Sequence, residues 1–251
     1  MDMLNAVEMG EGPPVAILHG LFGSAQNWGA IQKALAPRHR VLAVDLPNHG
    51  ASPHSPDMSY PAMAAAVAER LREPMALLGH SMGGKVAMAL ALAQPERVTR
   101  LVVADMAPVT YPPSAMRGYV AAMQAVELRP GLTRREADAA LAPAVDSPAE
   151  RGFLLQNLRF GEGAPAWRLG LEEIAAAMPV LESFPDFDAP YKGPVLVVSG
   201  ERSGYVRPAS HAAFRALFPH VEFAVVPDAG HWLHAENPKA FLGLIEPFLA
   251  G

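Results

Sequence analysis

Six short runs of consecutive apolar residues punctuate the chain, at Val15–Leu18, Val41–Val44, Met75–Leu78, Leu101–Ala104, Val195–Val198 and Phe223–Val226. They are continuous rather than alternating, the pattern of strands buried on both faces of a sheet. A weaker run near Met3–Val7 adds an edge strand. Between them, apolar positions recur at helical spacing over Asn27–Ala36, Tyr60–Leu71, Met82–Ala93, Pro208–Leu217 and Pro238–Leu249. The last has Asn237 as N-cap and Pro238 in the first helical position, a strong start signal. This βαβα alternation predicts an α/β protein built on a doubly wound, mostly parallel sheet.

The alternation stops between Pro108 and Pro194. That stretch reads as helical, with no convincing strand. Thr133-Arg134-Arg135-Glu136 and Ser147-Pro148-Ala149-Glu150 have the capping-box form, and Leu171–Leu181 is a further helical pattern. A helical insertion of this length over the strand ends predicts a cap on the site.

Every strand run ends on a polar residue or a glycine: His19-Gly20, Asp45, Gly79, Asp105, Ser199-Gly200 and Asp228. Chemistry in open α/β sheets gathers outside the carboxyl ends of the strands. One of those ends stands out. Gly79-His80-Ser81-Met82-Gly83 is the Gly-x-Ser-x-Gly pattern, between a predicted strand and a predicted helix. A turn this sharp strains the serine backbone and leaves no room for flanking Cβ atoms. It exposes the Ser81 hydroxyl at a helix N-terminus, where free N–H groups favour developing negative charge.

A serine hydroxyl is a poor nucleophile without a base. His231, in Asp228-Ala229-Gly230-His231-Trp232 after the last run, reaches the same edge of the sheet and follows the serine in chain order. His80 abuts the nucleophile and reads as structural. His231 and His234 have helical spacing in a segment read as loop, with only Asp228 or Glu236 to assist, so no metal site is expected. Met82 N–H supplies one oxyanion donor. The turn His19-Gly20-Leu21-Phe22-Gly23 supplies the second, from Leu21 with Phe22 as the alternative. Apolar residues for a substrate pocket are Phe22, Tyr205 and Trp232 on the loops, and Phe153, Leu158, Phe160 and Trp167 from the cap.

Composition narrows the partners. The chain has 251 residues, 51% hydrophobic and 18% charged, with net charge −5, which offers no basic field for nucleic acid. It has no cysteine, which excludes disulfides, thiolate catalysis and cysteine-ligated metals. The 25 prolines are about twice the usual share and point to firm loops and helix starts. The first residues lack the basic and apolar regions of a signal peptide, and no run approaches a membrane span, so a cytoplasmic location without membrane insertion is expected.

His-Gly-Leu-Phe-Gly-Ser at 19–24, Asp-Leu-Pro-Asn-His-Gly-Ala-Ser at 45–52, Gly-His-Ser-Met-Gly-Gly-Lys at 79–85 and Ala-Gly-His-Trp at 229–232 together resemble the α/β-hydrolase superfamily. Within it, the chain resembles the small cofactor-free carboxylesterases, including bacterial acyl-ester and acyl-CoA thioester hydrolases and their mitochondrial relatives. Asp105-Met106-Ala107-Pro108-Val109, Phe153–Leu158 and Trp167-Arg168 fit that subgroup too. The resemblance implies a core of 1–107 and 194–251 with a helical cap, 108–193, inserted after the sixth strand. Many members take the triad acid from the loop after the penultimate strand, where this chain has Ser203 in Gly200-Glu201-Arg202-Ser203. The subgroup takes it from the strand after the nucleophile helix, which points to Asp105. The Asp45 loop, with His49, Gly50 and Ser52, is a structural feature of the superfamily. The implied activity is cofactor-free serine hydrolysis of small to medium acyl esters or thioesters, with monomer and dimer both open. The same scaffold also serves haloperoxidase-like perhydrolysis, C–C bond hydrolysis and non-catalytic ligand binding.

Overall fold

The computed structural model of the chain describes residues 3–251. Its first five strands are β1 (Ala6–Met9), β2 (Pro14–Leu18), β3 (Arg40–Val44), β4 (Met75–His80) and β5 (Val98–Ala104). Helices α1 (Gly29–Leu35), α2 (Tyr60–Arg70) and α3 (Met82–Ala93) connect them. The cap then contributes α4 (Met116–Gln124), α5 (Arg134–Leu141), α6 (Pro148–Leu154), the short strands β6 (Leu158–Arg159) and β7 (Ala166–Trp167), and α7 (Leu171–Glu182). The core resumes with β8 (Val195–Gly200), α8 (His211–Leu217), β9 (Val221–Val226), α9 (Leu233–Glu236) and α10 (Pro238–Ala250).

Seven strands form one sheet in the order β1-β3-β2-β4-β5-β8-β9. All neighbours pair in parallel except β1, which runs antiparallel to β3 with Ala6 opposite Val44. The continuous apolar runs are explained by this placement. Along β2, Val15 and Ile17 face a layer with Trp28, Ile31, Phe241 and Ile245, while Ala16 and Leu18 face the layer holding α2, α3 and the cap. Both faces are covered, so neither needs a polar partner. Each fully buried Leu, Ile or Phe side chain contributes ~1.5–3 kcal/mol relative to exposure.

The edge strand is Ala6–Met9 rather than Met3–Val7, and its side chains are mostly exposed. The predicted helix at Asn27–Ala36 is split, with a 3-10 turn over Ala25–Trp28 preceding α1, and Pro208–Ser210 likewise form a 3-10 turn before α8. The insertion follows the fifth strand of this chain rather than the sixth, because a single antiparallel strand precedes β2. It also contains the β6–β7 pair, Leu158 opposite Trp167, where only helix was expected. Strands of two residues are too short to leave a periodic signal. Both cap N-termini read from the sequence are present: Thr133 Oγ1 accepts from Glu136 N–H at 3.2 Å and Ser147 Oγ from Glu150 N–H at 3.3 Å.

Candidate active site

β4 lies between β2 and β5, and Ser81 follows it directly. Its backbone stands at φ 53°, ψ −123°, a conformation L residues rarely adopt. The flanking glycines are a steric requirement. A Cβ on Gly79 would stand 2.3 Å from Gly83 O, and one on Gly83 would stand 2.4 Å from both His19 O and Leu18 O. Ser81 N–H is held by Ala104 O at 3.1 Å, and Ser81 O accepts from Gly84 and Lys85 N–H as α3 begins. The serine is thereby fixed between the end of β5 and the first turn of α3.

Ser81 Oγ is 3.0 Å from His231 Nε2, and His231 Nδ1 is 2.7 Å from Asp105 Oδ2. Asp105 is fully buried, at φ 52° immediately after β5. Gly200 N–H donates to its Oδ1 at 3.3 Å, and the Ser203 hydroxyl donates to its Oδ2. Ser203, which stands where many relatives of this fold carry the acid, here hydrogen-bonds to the acid. The rival carboxylates point elsewhere. The Asp228 side chain is 90% exposed beside Arg202. Glu201 accepts from Asp228 N–H at 2.9 Å.

Two rings pack against the His231 ring. Tyr205 stacks on it with centroids 4.2 Å apart, and His80 packs at 4.7 Å. His80 Nε2–H donates to His231 O at 2.8 Å, so the structural role expected of His80 is to hold the backbone of the neighbouring histidine. Burial holds His80 well below its ordinary pKa. The segment read as loop contains a helical turn, α9, which stacks His234 on Trp28 at 4.0 Å.

The turn after β2 meets the elbow from the other side. Leu21 and Met82 N–H groups have no hydrogen-bond acceptor among the described residues. Phe22 N–H donates to His49 Nε2 at 3.2 Å, which removes it as an oxyanion donor. The Asp45 loop is a framework. Asp45 accepts from Ala25 N–H at 2.7 Å, Ala51 N–H at 2.9 Å and Asn5 Nδ2 at 2.7 Å. His19 accepts from Leu46 N–H at 3.0 Å through Nε2, and His49 donates from Nδ1 to Pro47 O at 2.8 Å. Both histidines are buried and neutral; desolvation lowers His49 to about 3 and shifts His19 the same way.

A cavity of about 260 Å³ opens on Ser81 and His231. Phe22, Phe153, Tyr205 and Trp232 line it as expected, joined by Met106, Met116, Leu154, Met178 and Leu181. Leu158, Phe160 and Trp167 do not. Leu158 is buried within β6 itself, Phe160 is 45% exposed just past β6, and Trp167 turns its Nε1 to Met123 O at 3.1 Å.

Sequence reasoning missed three polar residues of the site. Lys85 is buried at the cavity wall and donates to the carbonyls of Leu181, Glu182 and Ser183 at 3.5, 3.2 and 2.6 Å. The available signal was one charged residue in an otherwise apolar helix, Met82–Ala93. Tyr111 accepts from Ala107 N–H at 2.9 Å and donates to Tyr205 O at 2.8 Å, bracing the residue that stacks on His231. Asn157 Nδ2 donates to Phe22 O at 2.8 Å and ties the cap to the turn carrying Leu21. Their sequence neighbourhoods give no sign of these distant partners.

A strained serine on a strand-to-helix elbow, a histidine from the last βα loop and a buried acid define the serine-hydrolase class on this sheet. The comparisons agree: residues 13–238 match the alpha/beta hydrolase fold model, and the chain belongs to that family. It is 44% identical to the sn-1-specific diacylglycerol lipase ABHD11 of Mus musculus over 95% of this chain and 81% of that protein. Identity to esterase YbfF of Escherichia coli K12 is 35%, over 94% of this chain and 92% of that one. The solved structure of a marine microorganism esterase superposes with a TM-score of 0.95 at 36% identity, covering 98% and 99% of the two chains. The chain is an α/β-hydrolase of the esterase and lipase type.

Proposed function

We propose that the chain hydrolyses small to medium acyl esters or thioesters through an acyl-enzyme on Ser81. The carrying observation is the unbroken line from Ser81 Oγ to His231 Nε2 and from His231 Nδ1 to Asp105 Oδ2. His231 takes the hydroxyl proton as Ser81 attacks the carbonyl, and Asp105 stabilises the imidazolium that forms. Leu21 and Met82 N–H groups receive the oxyanion; one such donor is typically worth ~10²–10³ in rate. His231 returns its proton to the leaving alcohol or thiol, then activates the water that releases the acid. No step calls on a cofactor.

The acyl group sits against the methionines and aromatics of the cavity. Its volume, about 260 Å³, lies just below the ~300–1,000 Å³ of most ligand sites, which favours short and medium chains. The relatives named as a diacylglycerol lipase and as an esterase are, by those names, hydrolases of carboxylic esters.

The test is fluorophosphonate labelling with a p-nitrophenyl ester series. Labelling disappears in Ser81→Ala, and kcat/KM rises with acyl length, then falls when the pocket is full. Labelling that survives in Ser81→Ala, a monotonic rise to long-chain triglycerides, or peracid formation without hydrolysis overturns the reading.

A further inference from the structure

Lys85 is the fourth residue of α3, and its N–H bonds to Ser81 O at 3.2 Å. Its side chain runs from the nucleophile's own helical turn to the end of the cap. There Nζ meets three consecutive carbonyls, of Leu181, Glu182 and Ser183. These lie where α7 ends, and a helix end leaves its last carbonyls without intrahelical donors. Tyr60 OH adds a donor to Leu181 O at 2.6 Å. An ammonium has three N–H groups and no acceptor, so it suits three converging carbonyls. The same Lys85 and Leu181 line the cavity in front of Ser81.

We propose that Lys85 is a positioning residue that clamps the end of α7 to the nucleophile helix and so fixes the depth of the acyl pocket, selecting short acyl chains over long ones. The inference rests on the esterase reading above. With the clamp released, α7 loses its attachment to α3 and the wall formed by Leu181 and Met178 recedes from Ser81. Chains longer than the closed pocket then fit, while short chains lose their contacts.

The protonation state of the clamp enters as well. Burial lowers Lys85 to about 7. A neutral amine has two N–H groups for three carbonyls, and its lone pair faces the third. The other groups around it keep their charge through this range. Tyr60 is raised far above its ordinary value and Tyr111 to about 12, both by burial. Glu182 is held low by hydrogen bonds from Arg117 Nε and Nη2. The clamp therefore loosens as pH rises through about 7.

Two measurements on the intact protein test this. In Lys85→Met the octanoate-to-butyrate ratio of kcat/KM for p-nitrophenyl esters rises on the order of tenfold, the effect of about two more methylenes buried. The butyrate loss falls mainly on KM, and Lys85→Arg restores part of the wild-type ratio. A folded Lys85→Met with the wild-type chain-length optimum overturns the proposal. If that variant does not fold, the wild-type protein decides: the same ratio rises between pH 6 and 9, because both esters use the same catalytic groups and differ only in the pocket depth they need. A flat ratio overturns the proposal. A wild-type protein that hydrolyses neither ester and resists fluorophosphonate fails the esterase reading instead.

Discussion

The core and the cap meet around one cavity, and they are built on opposite principles. The core holds its reactive groups with the backbone. Phe22, Asn48, Ser81, Asp105 and Asp228 all have positive φ, each at or just beyond a strand end. Its buried polar side chains include four histidines whose protonation burial disfavours, His19, His49, His80 and His234, and the hydrogen-bonded aspartates Asp45 and Asp105. The cap holds its shape with side chains: the Thr133–Glu136 capping box, the Ser147 cap, and ion pairs such as Arg117–Glu182, Arg151–Asp138 and Arg129–Glu136. A backbone-held site is stiff and specifies chemistry. A side-chain-held wall can change residue by residue and specifies which acyl group enters. Lys85, Tyr60 and Asn157 are points where one is fastened to the other.

Breaking the core side should cost most. Ser81→Ala removes the nucleophile while keeping the elbow, and kcat for ester hydrolysis should fall on the order of 10⁶ with an unchanged melting curve. Asp105→Asn should cost ~10⁴, because the amide stabilises the wrong His231 tautomer. Glu201→Gln and Asp228→Asn should stay near wild type, and a reversed ranking in steady-state assays would relocate the acid. Gly83→Ala drives a Cβ into the backbone oxygens of His19 and Leu18, so a loss of ~1–3 kcal/mol should appear in urea denaturation, together with lost activity.

Acid should separate the two regions. Four core histidines, His19, His49, His80 and His234, have pKa values lowered chiefly by burial, His49 to about 3 and His234 to about 4. Below their ordinary value of 6.5 the unfolded chain binds protons that the folded chain refuses. The contribution of these histidines is therefore full above pH 6.5 and is lost as pH falls toward 4, with up to about four protons taken up on unfolding at pH 5. Two cap carboxylates are held low, Glu182 by Arg117 and Glu136 to about 2 by Thr133 and Arg129, so their contribution is lost only below pH 4.5. Unfolding midpoints constant from pH 7 to 5 would contradict the neutral histidine core.

A smaller effect on catalysis sits at the seam. Asn157→Ala leaves Phe22 O without its cap donor and should cost ~1–3 kcal/mol of stability. It should raise KM more than it lowers kcat, because Ser81, His231 and Asp105 keep their own partners. An equal loss in both would mean that the seam also holds the oxyanion turn.

Sequence alone determined the core because its signals are local. Parallel strands buried on both faces show as unbroken apolar runs, and the elbow needs glycines at fixed offsets from Ser81 for steric reasons that no tertiary partner alters. The chain order of Ser81 and His231 follows from the same sheet. The choice of Asp105 came from resemblance, since aspartates end several strands; only the packed sheet sets its carboxylate against His231 while Ser203 bonds to it. The cap resisted reading for the converse reason. Whether Phe153 or Phe160 faces the serine depends on a two-residue strand and on helices packing across the cavity. Both are apolar aromatics in a helical-looking stretch, and nothing nearby in sequence distinguishes them. Lys85 shows the limit most clearly: its partners lie 96 to 98 residues away. A charge in an apolar helix marks a partner, but only the folded chain brings the end of α7 to meet it.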